Sequence, residues 1–461
     1  MRVSVVRGSI TAAILLLVTC AAAAGQVRTG SDRPTLASPP MGWNSYDAYG
    51  TTINEAQFRA NALWMSRHLA RYGWRYAVID AEWFVPKAVA SGGGSPGATF
   101  ALDRYGRYIP APNRFPSSAD GAGFKALADY VHSLGLKFGI HILRGIPKEA
   151  VRRNLPIEGS PYTAAEAADV HSICPWNPDD YGVDPRSPAG QAYYDSIARL
   201  YASWGIDFIK ADCIASHPYA GAEIRMLSTA LRNSGRDMVL SLSPGPAPPA
   251  KAVELRRYAN MWRISNDVWD IWHGGGDYPK GVGDQFARAA RWAPLTEPDH
   301  WPDTDMLAVG NLGPNPGLGK PRETRLTRAE QRTYLTLWCI ARSPLFMGGN
   351  LTRNDRWTES LLENPEVIAV DQHATDTHQA LARDGFVVWL SKPDDGNGWY
   401  LAAFNLDPRP RALRATWADL SLAERRYGVR DLWQHRDRGS AASLAVSLDA
   451  HGAVLYRLLP Q

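Results

Sequence analysis

In "GIDFIKADCI" (205–214) an apolar run ends in a lysine and, two residues on, an aspartate. Strand side chains alternate, so Phe208, Lys210 and Asp212 would share one face. A second run, "NMWRISND", ends in Arg263 and, four residues later, Asp267. Other apolar runs also end in polar groups. Asp80, Glu82 and Trp83 follow "YAVI", His141 and Arg144 lie in "GIHILRG", Ser241 and Ser243 end "DMVLSLS", and Trp43, Asn44 and Asp47 follow "PPMG". Two carboxylates among aromatic rings suit glycoside hydrolysis: one attacks or stabilises the developing oxocarbenium ion, and the other protonates the leaving oxygen. Lys210 would keep Asp212 ionised and could hydrogen-bond a sugar; by itself the K-x-D pattern also reads as a solvated ion pair. The set holds one histidine and no H-x-H pair, which argues against a metal-dependent hydrolase. No metal and no other cofactor is implied.

These groups meet only if the runs that carry them lie side by side. The chain repeats one theme: an amphipathic helix, a glycine, then an apolar strand. It appears in "NEAQFRANALWMSRHLARYG" before "YAVID", with Asn54 as N-cap, and in "FKALADYVHSLG" before "LKFGIHI". It recurs in "QAYYDSIARLYASWG" before "IDFIKAD" and in "IRMLSTALRNSG" before "DMVLSLS". Apolar strands without alternation are buried on both faces, as in parallel sheets covered by helices. With further strands at "PPMGWNSY" and "ANMWRIS", the expectation is an α/β fold, a (β/α)₈ TIM barrel. In such a barrel the polar strand ends gather at one face. A doubly wound open sheet is the alternative, but no Gly-rich phosphate loop follows the first strand. Beyond about residue 372, "GFVVWLSK", "GWYLAAFNL" and "AVLYRLL" predict short strands between polar turns, a smaller all-β C-terminal sandwich domain.

The 461 residues carry a net charge of +4 with no basic run, so nucleic acid is not an expected partner. Seventeen tryptophans and 19 tyrosines could stack on sugars or fill a core. Residues 1–25 read as a signal peptide: Arg2 and Arg7, an apolar run too short for a comfortable membrane span, then small residues. Residues 26–37 read as a linker, 38–371 as the barrel and 372–461 as the β domain. The expectation is an exported protein, secreted or periplasmic, with no membrane span; "LVTC" weakly resembles a lipoprotein box that would anchor the chain at Cys20. Cys174, Cys213 and Cys339 remain after cleavage, so at most one disulfide forms and one thiol is left over, at spacings that fit no zinc site. Oligomeric state is not legible.

The chain resembles glycoside hydrolase family 27, the α-galactosidases and α-N-acetylgalactosaminidases. The resemblance runs through "PPMGWNSYDAYG", "GWRYAVIDAEW", "GLKFGIH", "WGIDFIKAD", "NMWRISND", "WPDTDMLAVGN", "LTLWCIARSPLFMGGNL" and "NPEVIAVDQ". It implies a retaining exo-glycosidase acting on a carbohydrate through a covalent glycosyl-enzyme, most simply an α-galactosidase. Asp212 would be the nucleophile and Asp267 the general acid/base. Trp43, Asp80, Lys210, Arg263, Ser243 and Met306 match sugar-binding or pocket-lining positions of the family. Two departures bear on the sugar. Ala81 stands where the second of two adjacent aspartates is expected, with Glu82 beyond it on the same face as Asp80. His141 stands where tyrosine is usual. Both Glu82 and His141 are candidates for the sugar site, against a surface glutamate and an interior histidine. Arg144 reads as a structural ion pair, and Asp303 and Asp305 as structural. The resemblance also implies a cysteine at position 214 bonded to one at 242. Ile214 and Leu242 stand there instead, so Cys213 is expected to be a free thiol. A β-L-arabinopyranosidase, an α-N-acetylgalactosaminidase and an isomaltodextranase-like enzyme are the alternatives within the family. A non-catalytic carbohydrate-binding protein is the alternative outside it.

Overall fold

The structure is a computed structural model; it describes Met1 and residues 34–89, 97–313 and 320–461. The expected signal peptide and Cys20 lie outside the described residues, as does most of the expected linker.

Eight parallel strands make one sheet: β1 (Met41–Asn44), β2 (Tyr76–Ile79), β3 (Lys137–Leu143), β4 (Phe208–Asp212), β5 (Val239–Leu242), β6 (Met261–Arg263), β7 (Trp301–Asp303) and β8 (Leu345–Met347). They run in the order β7-β6-β5-β4-β3-β2-β1-β8. Just past β7, Leu307 bridges Met347 in parallel and its N–H donates to Phe346 O at 2.7 Å, which closes the sheet into the expected barrel. Tyr76, Val78, Phe208, Val239, Met261, Trp301 and Phe346 pack together as the barrel interior. The alternate positions, among them Ala77, Ile79, Ile209, Leu240 and Trp262, belong to the larger core beneath the helices. Both faces are therefore apolar, which explains the unbroken apolar runs.

The helices begin and end where local chemistry directs. Asn54 and Gln57 form a capping box for α1 (Glu55–His68). After α2 (Lys125–Ser133), α3 (Pro188–Trp204) starts with Pro188 and stops at Gly205, whose φ of 81° lets its N–H reach back to Tyr201 O and Ala202 O. The ring continues with α4 (Gly221–Asn233), α5 (Ala252–Tyr258), α6 (Gln285–Trp292), α7 (Arg328–Ala341) and α8 (Pro365–His373).

Between β3 and α3 the chain leaves the barrel to form a small antiparallel sheet of Ile146–Pro147, Ala168–Ile173 and Asp180–Val183. This excursion brings Cys174 back over β4, where it forms a disulfide with Cys213 across 39 residues. The expected free thiol at Cys213 is thus corrected: its partner lies on an excursion whose return path has no short-range signature. Cys339 is the free, buried cysteine.

The C-terminal part is antiparallel. Strands β9 (Ala374–Arg383), β10 (Phe386–Pro393), β11 (Trp399–Asn405), β12 (Arg411–Thr416), β13 (Tyr427–Asp431), β14 (Arg436–Ala441), β15 (Ser443–Leu448) and β16 (Ala453–Pro460) form two sheets. The six-stranded sheet β9-β10-β11-β16-β13-β14 faces the pair β12-β15 over a core that includes Val388, Leu390, Leu401, Leu413 and Trp417. It docks on the barrel through α7 and α8: Trp433 donates to Thr336 Oγ1 at 2.9 Å, and Arg430 makes two hydrogen bonds to Glu366, at 2.7 and 2.8 Å. No described helix is long and apolar enough to cross a membrane.

Candidate active site

The inward positions of the strands are apolar at the bottom of the barrel and polar at the top. From Tyr76 and Val78 the alternation continues to Asp80; from Phe208 it continues to Lys210 and Asp212. The parallel register sets His141 beside Lys210, Lys210 beside Ser241, and Arg263 beside Asp303. These ends open into a cavity of about 400 Å³. Asp80, Glu82, His141, Lys210, Asp212, Ser243, Asp267 and Met306 all line it. The backbone turns sharply at several strand ends: Glu82, Cys213 and Asp305 have φ of 60°, 59° and 99°. Non-glycine residues in that region cost roughly 1–2 kcal/mol each, and such conformations gather at functional sites.

Asp212 is 22% exposed. Its Oδ2 meets His141 Nε2 at 3.1 Å and its Oδ1 accepts from the Cys213 N–H at 2.5 Å. Burial opposes its charge, but the hydrogen bond and charge of His141, with Lys210 and the Cys213 N–H, hold the carboxyl below its ordinary range. Lys210 acts on Asp212 only through its field. Its Nζ donates to Asp80 Oδ2 at 2.7 Å, and Asn44 Nδ2 donates to the same oxygen at 2.7 Å. Burial opposes the charge of Asp80, but Lys210 and His141 outweigh it and keep Asp80 ionised; Asp80 in turn raises Lys210 against its own burial.

Asp267 follows β6 and is 36% exposed. Arg263 Nη2 is shared between Asp267 Oδ1 at 3.2 Å and Asp305 Oδ2 at 2.6 Å. Asp305 also accepts from the Val268 and Met306 N–H groups, at 2.6 and 2.7 Å. Burial first, then the charges of Asp267 and Asp303, raise Asp305 against the pull of Arg263. Arg263 itself does not line the main cavity: it lies in an adjoining void with Asn44, Ser241 and Asp303, and reaches the cavity only through the two aspartates.

Trp43 is a correction. It is fully buried, donates to Gly349 O at 2.8 Å and packs on Phe58 at 5.8 Å between ring centroids, within the core beneath the helices. Register explains it: Gly42 and Asn44 pair with the inward Tyr76 and Val78, so Trp43 points outward. The aromatic ring that does line the cavity is Tyr46, three residues on, with Lys210 Nζ 5.9 Å from its centroid. Alternation along β1 sets Trp43 outward, whereas Tyr46 lies past the strand end and carries no such signal. Arg144 makes the expected structural ion pair, with Glu223 at 2.5 Å, and donates to Cys213 O at 2.9 Å. Asp305, expected to be structural, lines the cavity, whereas Asp303 lies in the void below. Trp176, Asn177, Trp269 and Tyr278 line the cavity as well, from connecting segments whose return to the barrel carries no spacing signal. Trp176 lies two residues beyond Cys174, so the disulfide ties this wall to the residue after Asp212.

Residues 180–373 match the family model of alpha galactosidase A, and residues 383–458 match the alpha galactosidase C-terminal beta sandwich domain. α-Galactosidases of Oryza sativa subsp. japonica and Coffea arabica are 28% and 29% identical to this chain over 92% of its length, and over 85% and 94% of their own. A solved GH27 β-L-arabinopyranosidase from Geobacillus stearothermophilus is 45% identical, superposes with a TM-score of 0.88, and is matched over 92% of this chain and 97% of its own. Likeness at that level across the whole barrel and β domain settles the class of chemistry: this chain is a glycoside hydrolase and belongs to glycoside hydrolase family 27.

Proposed function

We propose that the protein is a retaining, exo-acting glycosidase with Asp212 as nucleophile and Asp267 as general acid/base, and that it releases terminal β-L-arabinopyranosyl residues. The observation that carries the mechanism is that two carboxyls in contrasting surroundings line one cavity: Asp212 beside His141 and in the field of Lys210, Asp267 beside Asp305 on one shared guanidinium. In the first step an Asp212 oxygen attacks the anomeric carbon, the bond to the leaving oxygen breaks, and Asp267 gives that oxygen its proton. In the second, water attacks the same carbon, Asp267 takes the water's proton, and Asp212 leaves as carboxylate. The cation side of the pocket suits a nucleophile that must be charged before substrate arrives. Asp80 and Lys210, locked together at 2.7 Å, would hold ring hydroxyls.

Two observations support arabinopyranose over galactose, the simplest reading of the sequence. The 45% identical relative is a β-L-arabinopyranosidase, whereas the curated α-galactosidases cited above are 28–29% identical. Beside Asp80 the second short aspartate is replaced by Ala81, and the longer Glu82 is buried in the wall. L-Arabinopyranose shares galactose's ring pattern and lacks the hydroxymethyl group, so a longer side chain there costs it nothing. α-Galactosidase stands as the second reading, favoured by both family models. An exported location belongs to the same reading and rests on residues 1–25. A panel of four nitrophenyl glycosides separates these readings: β-L-arabinopyranoside, α-galactoside, α-N-acetylgalactosaminide and α-glucoside. The arabinopyranoside is expected to lead in kcat/KM by about tenfold or more, the scale of discrimination set by one small group. A lead for the α-galactoside would reverse the choice of glycone and leave the mechanism standing.

A further inference from the structure

Asp47 sits on the single turn Tyr46–Tyr49 that follows β1, and it lines the cavity next to Tyr46. It is 1% exposed, yet among the described residues its carboxyl makes no hydrogen bond and no ion pair, and Oδ2 is buried without a partner. A buried, unsatisfied polar group is destabilising and rare, and each one in a native structure calls for a physical reason. The neighbouring strand has made room for it. A Cβ on Gly348, just past the end of β8, would fall 1.9 Å from Asp47 Oδ2 and 2.5 Å from its Cγ. Gly348 has no positive φ that would call for glycine on backbone grounds. The space above its Cα is space for the Asp47 carboxyl.

We infer that Asp47 is a substrate-binding residue, whose carboxyl completes its hydrogen bonding only when a hydroxyl of the bound glycone occupies the cavity. This rests on the proposal that the cavity is the sugar site. The hydroxyl concerned is one that the paired Asp80 and Lys210 do not hold, because Asp47 faces the cavity from the β1–β8 side and those two from β2 and β4. Burial first, then the charge of Asp305 and those of Asp267 and Asp80 against Lys210, push the Asp47 carboxyl well above its ordinary range. A protonated carboxyl can donate as well as accept, and this upward direction favours the form that offers a sugar hydroxyl a donor. An unpaired carboxyl kept for a ligand costs stability in the free protein, so its removal exchanges function for stability.

The test compares the parent with Asp47→Ala, Asp47→Asn and Gly348→Ala. Binding of L-arabinose and D-galactose and of their monodeoxy analogues is measured by calorimetry, and melting temperature alongside. Binding needs no turnover, so the mechanistic proposal can fail without touching this result. In Asp47→Ala the preferred sugar is expected to bind about tenfold more weakly or worse. One monodeoxy analogue should bind parent and variant alike, which names the hydroxyl. Asp47→Asn, which keeps a donor, should recover most of the affinity. Gly348→Ala, whose methyl displaces the carboxyl, should resemble Asp47→Ala. The melting temperature of Asp47→Asn should hold or rise. Affinity within twofold of the parent in Asp47→Ala overturns the assignment. So does equal weakening of every analogue together with a fall in melting temperature, the mark of a structural role, and so does absence of sugar binding in the parent.

Discussion

The two halves of the cavity balance charge differently. On the side built by β2, β3 and β4, the carboxylates Asp80 and Asp212 meet Lys210 and His141, and both are held below the ordinary carboxylate range despite burial. On the side built after β6 and β7, Asp267 and Asp305 share the single guanidinium of Arg263, Asp303 adds its charge to it, and Asp47, on the turn after β1, feels the charge of Asp305 without an ion pair of its own among the described residues. There burial wins, and Asp303, Asp305 and Asp47 are all raised. One half lowers its carboxyls and the other raises its own. The proposed double displacement needs a carboxylate ready to attack, and the lowered half is where Asp212 stands.

The largest way to break this comparison is to remove the proposed catalytic carboxyl from each half. Asp212→Ala is expected to lose on the order of 10⁴-fold or more in kcat on any glycoside. Asp267→Ala should lose on the order of 10²-fold on a nitrophenyl glycoside, whose leaving group needs little protonation, and more on an oligosaccharide. Equal losses on both substrates would remove the distinction between the halves. Next comes His141→Gln, read in the pH profile of kcat/KM. The parent's acid limb should lie below the ordinary aspartate range, because Asp212 is lowered. The variant's limb should move up toward that range, because the hydrogen bond and charge that lower Asp212 are lost. An unmoved limb would assign the lowering to Lys210 and the Cys213 N–H.

Asp305→Asn sharpens the raised half. A carboxyl raised in the folded state contributes stability below its unfolded value, and this is lost as pH rises through the folded one, about 7 for Asp305. Between about pH 4 and that value the melting temperature of Asp305→Asn should gain on that of the parent; a constant difference would show that Asp305 is not raised. The smallest effect belongs outside the cavity. Trp43→Phe loses the bond to Gly349 O and should cost about 1–3 kcal/mol of stability while leaving KM unchanged. A changed KM would bring Trp43 back into the sugar site.

The barrel was legible because its cause is local and repeated: four helix–glycine–strand units whose strands are apolar on both faces. The floor of the site was legible for the same reason, since Asp80, His141, Lys210 and Asp212 sit at strand ends in fixed register. Trp43 was misplaced because motif likeness was followed where strand parity pointed outward. Tyr46 and Asp47 lie past the strand end, where alternation stops. Trp176 and the Cys174–Cys213 bond depend on how the excursion between β3 and α3 returns, and the pairing of segments 39 residues apart leaves no trace in either segment alone. Lys210 was expected to serve Asp212 directly; the register that places it beside His141 gives that contact to the histidine and leaves Lys210 to Asp80.

The division of labour between the halves comes down to which carboxyl bonds to sugar. Incubation with a 2-deoxy-2-fluoro glycosyl fluoride of the preferred sugar slows the second step, and peptide mass mapping then locates the adduct. A single fluoroglycosyl group on the peptide that carries Asp212, absent in Asp212→Ala, is the predicted result. An adduct on the peptide carrying Asp267, or product of inverted anomeric configuration with no adduct at all, would contradict it.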